Sequence, residues 1–243
     1  VSPEEFKVKF NIEYEIDGPF VTMNVTPEPE QIRYYAWYYS KKGMETALEQ
    51  SPGVTIEMYL KRVVEVDLSN AIYYGAYAGY TAEQAVAELT FVGPASQKFE
   101  LNGQTDFYGF VCAVSDSGTI LSEVTITEFR TGSVEPSDNE IGIIINDVNT
   151  DRISYSVTTT NQDQYATLIF PAENIEGLSD EELVAKFNAT EDYVNYLRFG
   201  DSSATILVDK EDADYYVVAF GFEYGMATTE IHKEKKHSPK VPH

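Results

Sequence analysis

From Phe6 to Ile16 the chain alternates: Phe6, Val8, Phe10, Ile12, Tyr14 and Ile16 interleave with Lys7, Lys9, Asn11, Glu13 and Glu15. A period of two over eleven residues predicts a strand with one wet face. Asp17-Gly18-Pro19 turns the chain, and Val21, Met23 and Val25 predict a partner strand that ends at Pro27-Glu28-Pro29. Arg33 to Tyr39 reads as a third strand with aromatic residues on both faces, so each face needs a cover.

The period then changes. Ile56, Tyr59, Leu60, Val63 and Val64 form a helical stripe able to supply one cover, while Ser69 to Ala78 fits neither period cleanly. Thr81-Ala82-Glu83-Gln84 is a capping-box start for a second helix, closed by Gly93-Pro94. Strands resume at Gln97 to Leu101, over Thr105 to Val114, and at Ile120 to Phe129 after the Asp116-Ser117-Gly118 turn. Arg130 to Asn139 has the composition of a linker. Beyond it the order repeats: strands at Ile141 to Val148, Arg152 to Thr158 and Tyr165 to Phe170, then helices opened by the Ser179-Asp180-Glu181-Glu182 capping box and running on to Gly200. Ala204 to Val208, Ala213 to Phe222 and Ala227 to Ile231 complete the second half.

The two halves share a signature. Thr105-Asp106-Phe107-Tyr108-Gly109-Phe110-Val111-Cys112-Ala113-Val114 returns without a gap as Ala213-Asp214-Tyr215-Tyr216-Val217-Val218-Ala219-Phe220-Gly221-Phe222. An aspartate, an aromatic pair and an unbroken apolar run predict a strand buried on both faces. The spacing suits one small β domain per copy. The boundaries that follow are 1–132, with a helical insertion at about 43–95, then 133–236, with a shorter insertion at about 177–200, and a frayed basic tail over 237–243.

Composition supports two packed cores: of 243 residues, 43% are hydrophobic and 13% aromatic. No apolar run approaches the roughly 20 residues needed to cross a bilayer, and Val1 to Glu5 lacks the features of a signal peptide. The net charge is −23, with 19 acidic and 9 basic residues before Gly132 and 21 and 8 after it. Such a field repels phosphate backbones, so nucleic acid is not an expected partner, nor is an anionic membrane surface.

Candidate chemistry is sparse. His232, His237 and His243 all fall at or beyond the last expected strand, which leaves no histidine for a nucleophile system, and the one cysteine, Cys112, lies within a core strand. Together they make no zinc ligand set, and no cofactor is expected. Asp147-Val148-Asn149-Thr150-Asp151 starts like a calcium loop, but Arg152 stands where glycine is needed and Thr158 where glutamate is needed, so a turn is expected. Asp209, Glu211, Asp212 and Asp214 are weak metal candidates; a solvated loop is the plainer reading. Carboxylate pairs for a histidine-free hydrolase are numerous, and nothing selects one. Gly75-Ala76-Tyr77-Ala78-Gly79 is no phosphate loop, since neither a strand before it nor a Lys-Ser/Thr after it is present. Aromatic residues are the remaining signal. Tyr34, Tyr35, Trp37, Tyr74 and Tyr77, with Tyr38, Tyr39, Tyr73 and Tyr80 around them, are candidate ligand-binding residues, against the alternative that they seal the insertion to the sheet.

Leu101-Asn102-Gly103-Gln104-Thr105-Asp106-Phe107, continued by Val111, Ala113 and Val114, resembles the signature of fibronectin type III domains. There a leucine and a tyrosine form the corner before the sixth strand. Here Phe107 holds the tyrosine position without a hydroxyl, whereas Tyr215 in the second copy keeps it. The decorated tandem looks like the fibronectin-III-like regions of surface lipoproteins in Gram-negative bacteria. The expected fold is mainly β with helical insertions: two immunoglobulin-like, fibronectin III-like β-sandwiches, each with an α-helical insertion after its third strand. The resemblance implies export to the cell surface, through a lipid anchor outside this chain. The expected role is a non-catalytic module for adhesion or ligand presentation to a protein or glycan. A glycan-binding accessory of polysaccharide uptake is the alternative, and a hydrolase the second alternative.

Overall fold

The opening alternation folds as β1 (Lys9–Asp17), which pairs antiparallel with β2 (Phe20–Glu28), Tyr14 opposite Met23. The computed structural model describes residues 7–242, so the expectations placed on Val1–Phe6 and on His243 lie outside the described residues. The chain is mainly β, and its contacts divide it into two compact units, Val1–Ser133 and Val134–His243.

In the first unit β3 (Arg33–Ser40) leads into α1 (Lys41–Glu49), α2 (Ile56–Tyr77) and α3 (Ala82–Leu89). β4 (Phe91–Val92), β5 (Ala95–Glu100), β6 (Asp106–Ala113) and β7 (Thr125–Arg130) follow. The sheets run β1-β2-β5 and β4-β3-β6-β7. Alternation along each strand decides what lies between them: Phe10, Val21, Met23, Val25 and Phe99 meet Tyr34, Ala36, Phe107, Val111 and Phe129. The opposite parity of β3 and β6, through Tyr35, Phe110 and Cys112, packs against Met44, Leu60, Val64, Leu68 and Val86 of the helices. β6 is therefore covered on both faces. Burial pushes the Cys112 thiol up to about 12, as expected of a core thiol.

Caps set the helices. The Ser40, Thr55 and Thr81 side chains accept from backbone N–H groups three residues on, and Gln84 completes a capping box with Thr81. The ambiguous stretch 69–78 is the end of α2, up to Tyr77, with the C-cap Ala78. Its Ser, Asn and Gly have weak helix propensity, and continuation of a helix already anchored at Leu60, Val64 and Leu68 carries it. β4 and the start of β5 fall inside the expected insertion, because a two-residue strand has no readable period.

The second unit contains β8 (Gly142–Val148), β9 (Arg152–Thr158), β10 (Tyr165–Pro171), α4 (Ala172–Ile175), α5 (Asp180–Asn188) and a 3-10 turn at Tyr193–Tyr196. Then come β11 (Leu197–Arg198), β12 (Ser202–Leu207), β13 (Ala213–Glu223), β14 (Met226–Ala227) and β15 (His232–Ser238). One sheet is β12-β9-β8; the other is β11-β10-β13, with β14 and β15 both on β13. Ile153, Tyr155 and Val157 face Tyr165, Tyr215 and Val217, while Phe187 and Leu183 cover Val218, Phe220 and Phe222 on the opposite face. Strand for strand, the order β1-β2-β5 is repeated by β8-β9-β12, and β4-β3-β6-β7 by β11-β10-β13-β15.

The expectation of a frayed tail over 237–243 is corrected at His237 and Ser238, and with it the position of the last strand. Residues 232–238 are β15, paired along β13 from Ala219 opposite His232 to Ala213 opposite Ser238. Ser238 is fully buried, and its hydroxyl donates to the Lys210 carbonyl at 3.0 Å. Two basic residues of this strand meet acids: Lys235 pairs with Glu176 at 3.2 Å, and His237 Nδ1 lies 2.8 Å from Asp214. Similarly, Ile120 to Phe129 is one bridge at Ile120 followed by the short β7.

Candidate functional site

The five aromatic candidates do not form one site. Period-two geometry sends Tyr34 and Tyr35 to opposite faces of β3, and both faces are covered. Tyr34 is fully buried between the sheets; its hydroxyl donates to the Gly93 carbonyl at 2.8 Å, and burial pushes its pKa up to about 12. Tyr35 is buried beneath α2 and donates to Asp67 Oδ2 at 2.5 Å. Burial first, and then Asp67, push that hydroxyl upward. Both tyrosines are core residues, which corrects their assignment as ligand contacts.

Trp37 is exposed because β4 pairs with β3 only at Arg33 and Tyr34, leaving the rest of that edge without a neighbouring strand. Its ring stacks on Tyr38 at 5.1 Å and meets Phe99 edge-on at 5.3 Å. With Tyr39, Gly43, Val63 and Asp67 it borders a shallow concavity of about 380 Å³. Asp67 was missed in the sequence. Its signal was a carboxylate four residues after Val63, on the edge of the apolar stripe.

Tyr74 and Tyr77 lie elsewhere. Contacts of Tyr39 with Tyr59 and of Tyr35 with Asp67 show that α2 runs antiparallel to β3. From Val63 to Tyr74 is eleven residues, roughly 16 Å along the helix axis. There Tyr73, Tyr74, Tyr77 and Tyr80 are 58%, 66%, 79% and 49% exposed. Tyr73 touches Tyr74 at 5.2 Å and Tyr77 at 5.4 Å, both edge-on, and the Tyr73 and Tyr77 hydroxyls are 3.0 Å apart.

Local chain geometry builds this cluster. Residues 73 and 77 are one helical turn apart and share a face. The helix ends in a Schellman motif: Tyr80 N–H donates to the Gly75 carbonyl at 2.9 Å, and Gly79 N–H to the Ala76 carbonyl at 3.1 Å. Gly79 supplies the left-handed φ of +83° that this reversal requires. The reversal returns Tyr80 to the helix at Gly75, where a Cβ would stand 3.6 Å from that of Tyr80 and 3.0 Å from that of Ala85.

The acidic candidates are all exposed, Asp209, Glu211 and Asp212 in the loop before β13 and Asp214 near its start. Asp212 and Asp214 flank His237, at 3.2 Å from Nε2 and 2.8 Å from Nδ1, and Glu211 accepts from the Val241 N–H at 2.6 Å. Asp209 borders a neighbouring concavity. Among the described residues no group of three or more His, Cys, Asp or Glu is arranged to hold a metal ion. That concavity, of about 390 Å³, is lined by Glu173, Glu176, Asp209, Lys210, Asp214 and Lys235, among others. Glu173 is paired with Lys210 at 3.1 Å. The Tyr216 hydroxyl and then Lys235 hold Glu176 below the usual carboxylate range, opposite in direction to a general acid for glycoside hydrolysis. Asp147 to Asp151 forms the turn between β8 and β9, with Asn149 Nδ2 donating to Asp147 and Asp151 paired to Arg152.

The second-copy corner is formed: Lys210 N–H donates to the Tyr215 hydroxyl at 2.9 Å, and that hydroxyl donates to the Lys210 carbonyl at 3.0 Å. In the first copy Phe107 stacks on Phe129 at 5.3 Å, and Thr131 closes the corner instead. Its Oγ1 donates to the Asn102 carbonyl at 2.6 Å and accepts from Thr105 N–H at 2.9 Å.

No family model matches the chain, and no curated protein matches it. Among solved structures, a two fibronectin type-III domain segment from chicken tenascin is similar, at 12% sequence identity and a TM-score of 0.27, covering 95% of this chain and 98% of that one.

Proposed function

We propose that the chain is a tandem of fibronectin-III-like β-sandwiches, each with helices inserted after its third strand, serving as a non-catalytic surface module for adhesion or ligand presentation. The observation that carries this reading is the cluster of Tyr73, Tyr74, Tyr77 and Tyr80 at the end of α2, each about half or more exposed, with the Tyr73 ring in contact with those of Tyr74 and Tyr77. Contiguous exposed aromatic surface is what binding faces present, because a tyrosine contributes a large contact area at low entropic cost together with a polar tip. The repeated strand order and the Tyr215 corner support the sandwich reading. Export and anchoring through a lipid outside this chain belong to the same proposal, and the strong negative charge suits an exposed, soluble surface.

A second reading has its own observation. Trp37, 41% exposed beside Asp67 in the concavity at the β3 edge, suits a sugar ring stacked on indole with a carboxylate accepting from its hydroxyls. Immobilised protein screened against peptide and glycan arrays separates the two. Under the main reading, Tyr74→Ser/Tyr77→Ser abolishes capture with an unchanged melting temperature, and Trp37→Ala leaves it intact. The reverse pattern installs the glycan reading, and capture indifferent to both variants rejects both.

A further inference from the structure

We infer that the tyrosine face takes a lysine- or arginine-bearing segment of a partner protein. This rests on the reading of that face as a binding surface and names the chemistry of what it binds. Three features converge there. The first is the field: from Leu68 to Gln97 the sequence holds Glu83 and Glu88 and not one Lys, Arg or His, in a chain of net charge −23. The second is the helix. The four tyrosines sit at the C-terminal end of the 22-residue α2, where aligned peptide dipoles leave a partial negative charge, and no basic residue occupies its last turn. The third is the rings, whose π faces attract cations, most of all where water is partly displaced.

The chain satisfies two other surface tyrosines from within. Lys41 Nζ lies 5.3 Å from the centre of the Tyr108 ring, and Lys235 Nζ 5.6 Å from that of Tyr216. The segment that builds the tyrosine face has no such residue to offer. The cation at the near end of β3, Arg33, is already committed to Asp116 at 2.9 Å and to Thr90 Oγ1 at 3.0 Å. Aromatic rings, a helix's negative end and a local excess of carboxylates thus await a positive charge from outside the chain. The hydroxyls of Tyr73 and Tyr77, 3.0 Å apart, add acceptors for an ammonium or guanidinium N–H.

The test uses the full chain and a fluorescein-labelled twelve-residue peptide carrying four lysines, read by anisotropy at physiological salt, with arginine, glutamate and glutamine versions for comparison. The lysine and arginine peptides are expected to bind, and the glutamate and glutamine versions to fail. Tyr74→Phe/Tyr77→Phe keeps the rings and should bind within about twofold of the parent. Tyr74→Leu/Tyr77→Leu keeps the net charge and most of the apolar area but removes the π faces, and should weaken binding about tenfold or more. Both positions are exposed, so thermal melts of the variants should match the parent. An unweakened leucine variant overturns the inference, because the diffuse negative field alone would then hold the peptide. Failure of both basic peptides overturns it too. A neutral peptide or glycan captured through the same tyrosines would overturn the cationic partner while leaving the face standing as a binding surface.

Discussion

Gly109 shows how much one residue can decide. It stands in the centre of β6, opposite Thr127, and a Cβ built on it would fall on the Tyr14 hydroxyl and within 2.9 Å of Tyr14 Cζ. That hydroxyl shares a 2.6 Å hydrogen bond with Thr127 Oγ1, and the ring stacks on Phe129 at 4.5 Å. Gly109→Ala must therefore push Tyr14 out of its seat, and overpacking of this kind costs about 1–3 kcal/mol. Urea unfolding should report it as a lower midpoint at an unchanged slope. Tyr215 makes a comparable point for the second unit. Tyr215→Phe removes both bonds to the Lys210 backbone and should cost about 1–2 kcal/mol by the same measurement. The first copy tolerates phenylalanine at position 107 because the Thr131 hydroxyl holds the Asn102–Thr105 turn in its place.

At the scale of elements, β15 is the one whose charge chemistry can be titrated. His237 is bracketed by Asp214 and Asp212, and its hydrogen bond to Asp214 is the largest cause of a pKa raised above the ordinary 6.5. A folded-state pKa above the unfolded one makes the contribution complete below about 6.5 and lost as pH rises through the raised value. NMR titration of the imidazole should place its midpoint above 6.5, and the second unit's melting temperature should decline with pH across that window. His237→Gln should flatten the decline; a slope unaltered by that substitution would remove His237 as its origin. In the sequence the acids looked like a solvated loop and the terminal basic residues like a frayed tail, because 23 residues separate Asp214 from His237 and only strand pairing brings them opposite each other. Helix caps, by contrast, are local. Thr81 with Gln84 and Ser179 with Glu182 were legible because both partners lie within one turn.

For the whole molecule, the sequence determined whatever depends on short-range pattern. Period-two alternation set the strands, the repeated aspartate–aromatic–apolar stretch marked β6 and β13 as covered on both faces, and the spacing of the repeat anticipated a chain of two units. It also fixed a charge of −23 and the basic-free stretch around the tyrosines. Tertiary structure alone decided which aromatic residues face water. Tyr34, Tyr35, Trp37, Tyr74 and Tyr77 are chemically similar and close in the chain, yet two are sealed in separate cores, one lies at a strand edge left free by the short β4, and two stand on a helix end beyond the reach of the sheet. Burial is set by what arrives from distant segments to cover each face, and a periodic pattern states only which residues share one.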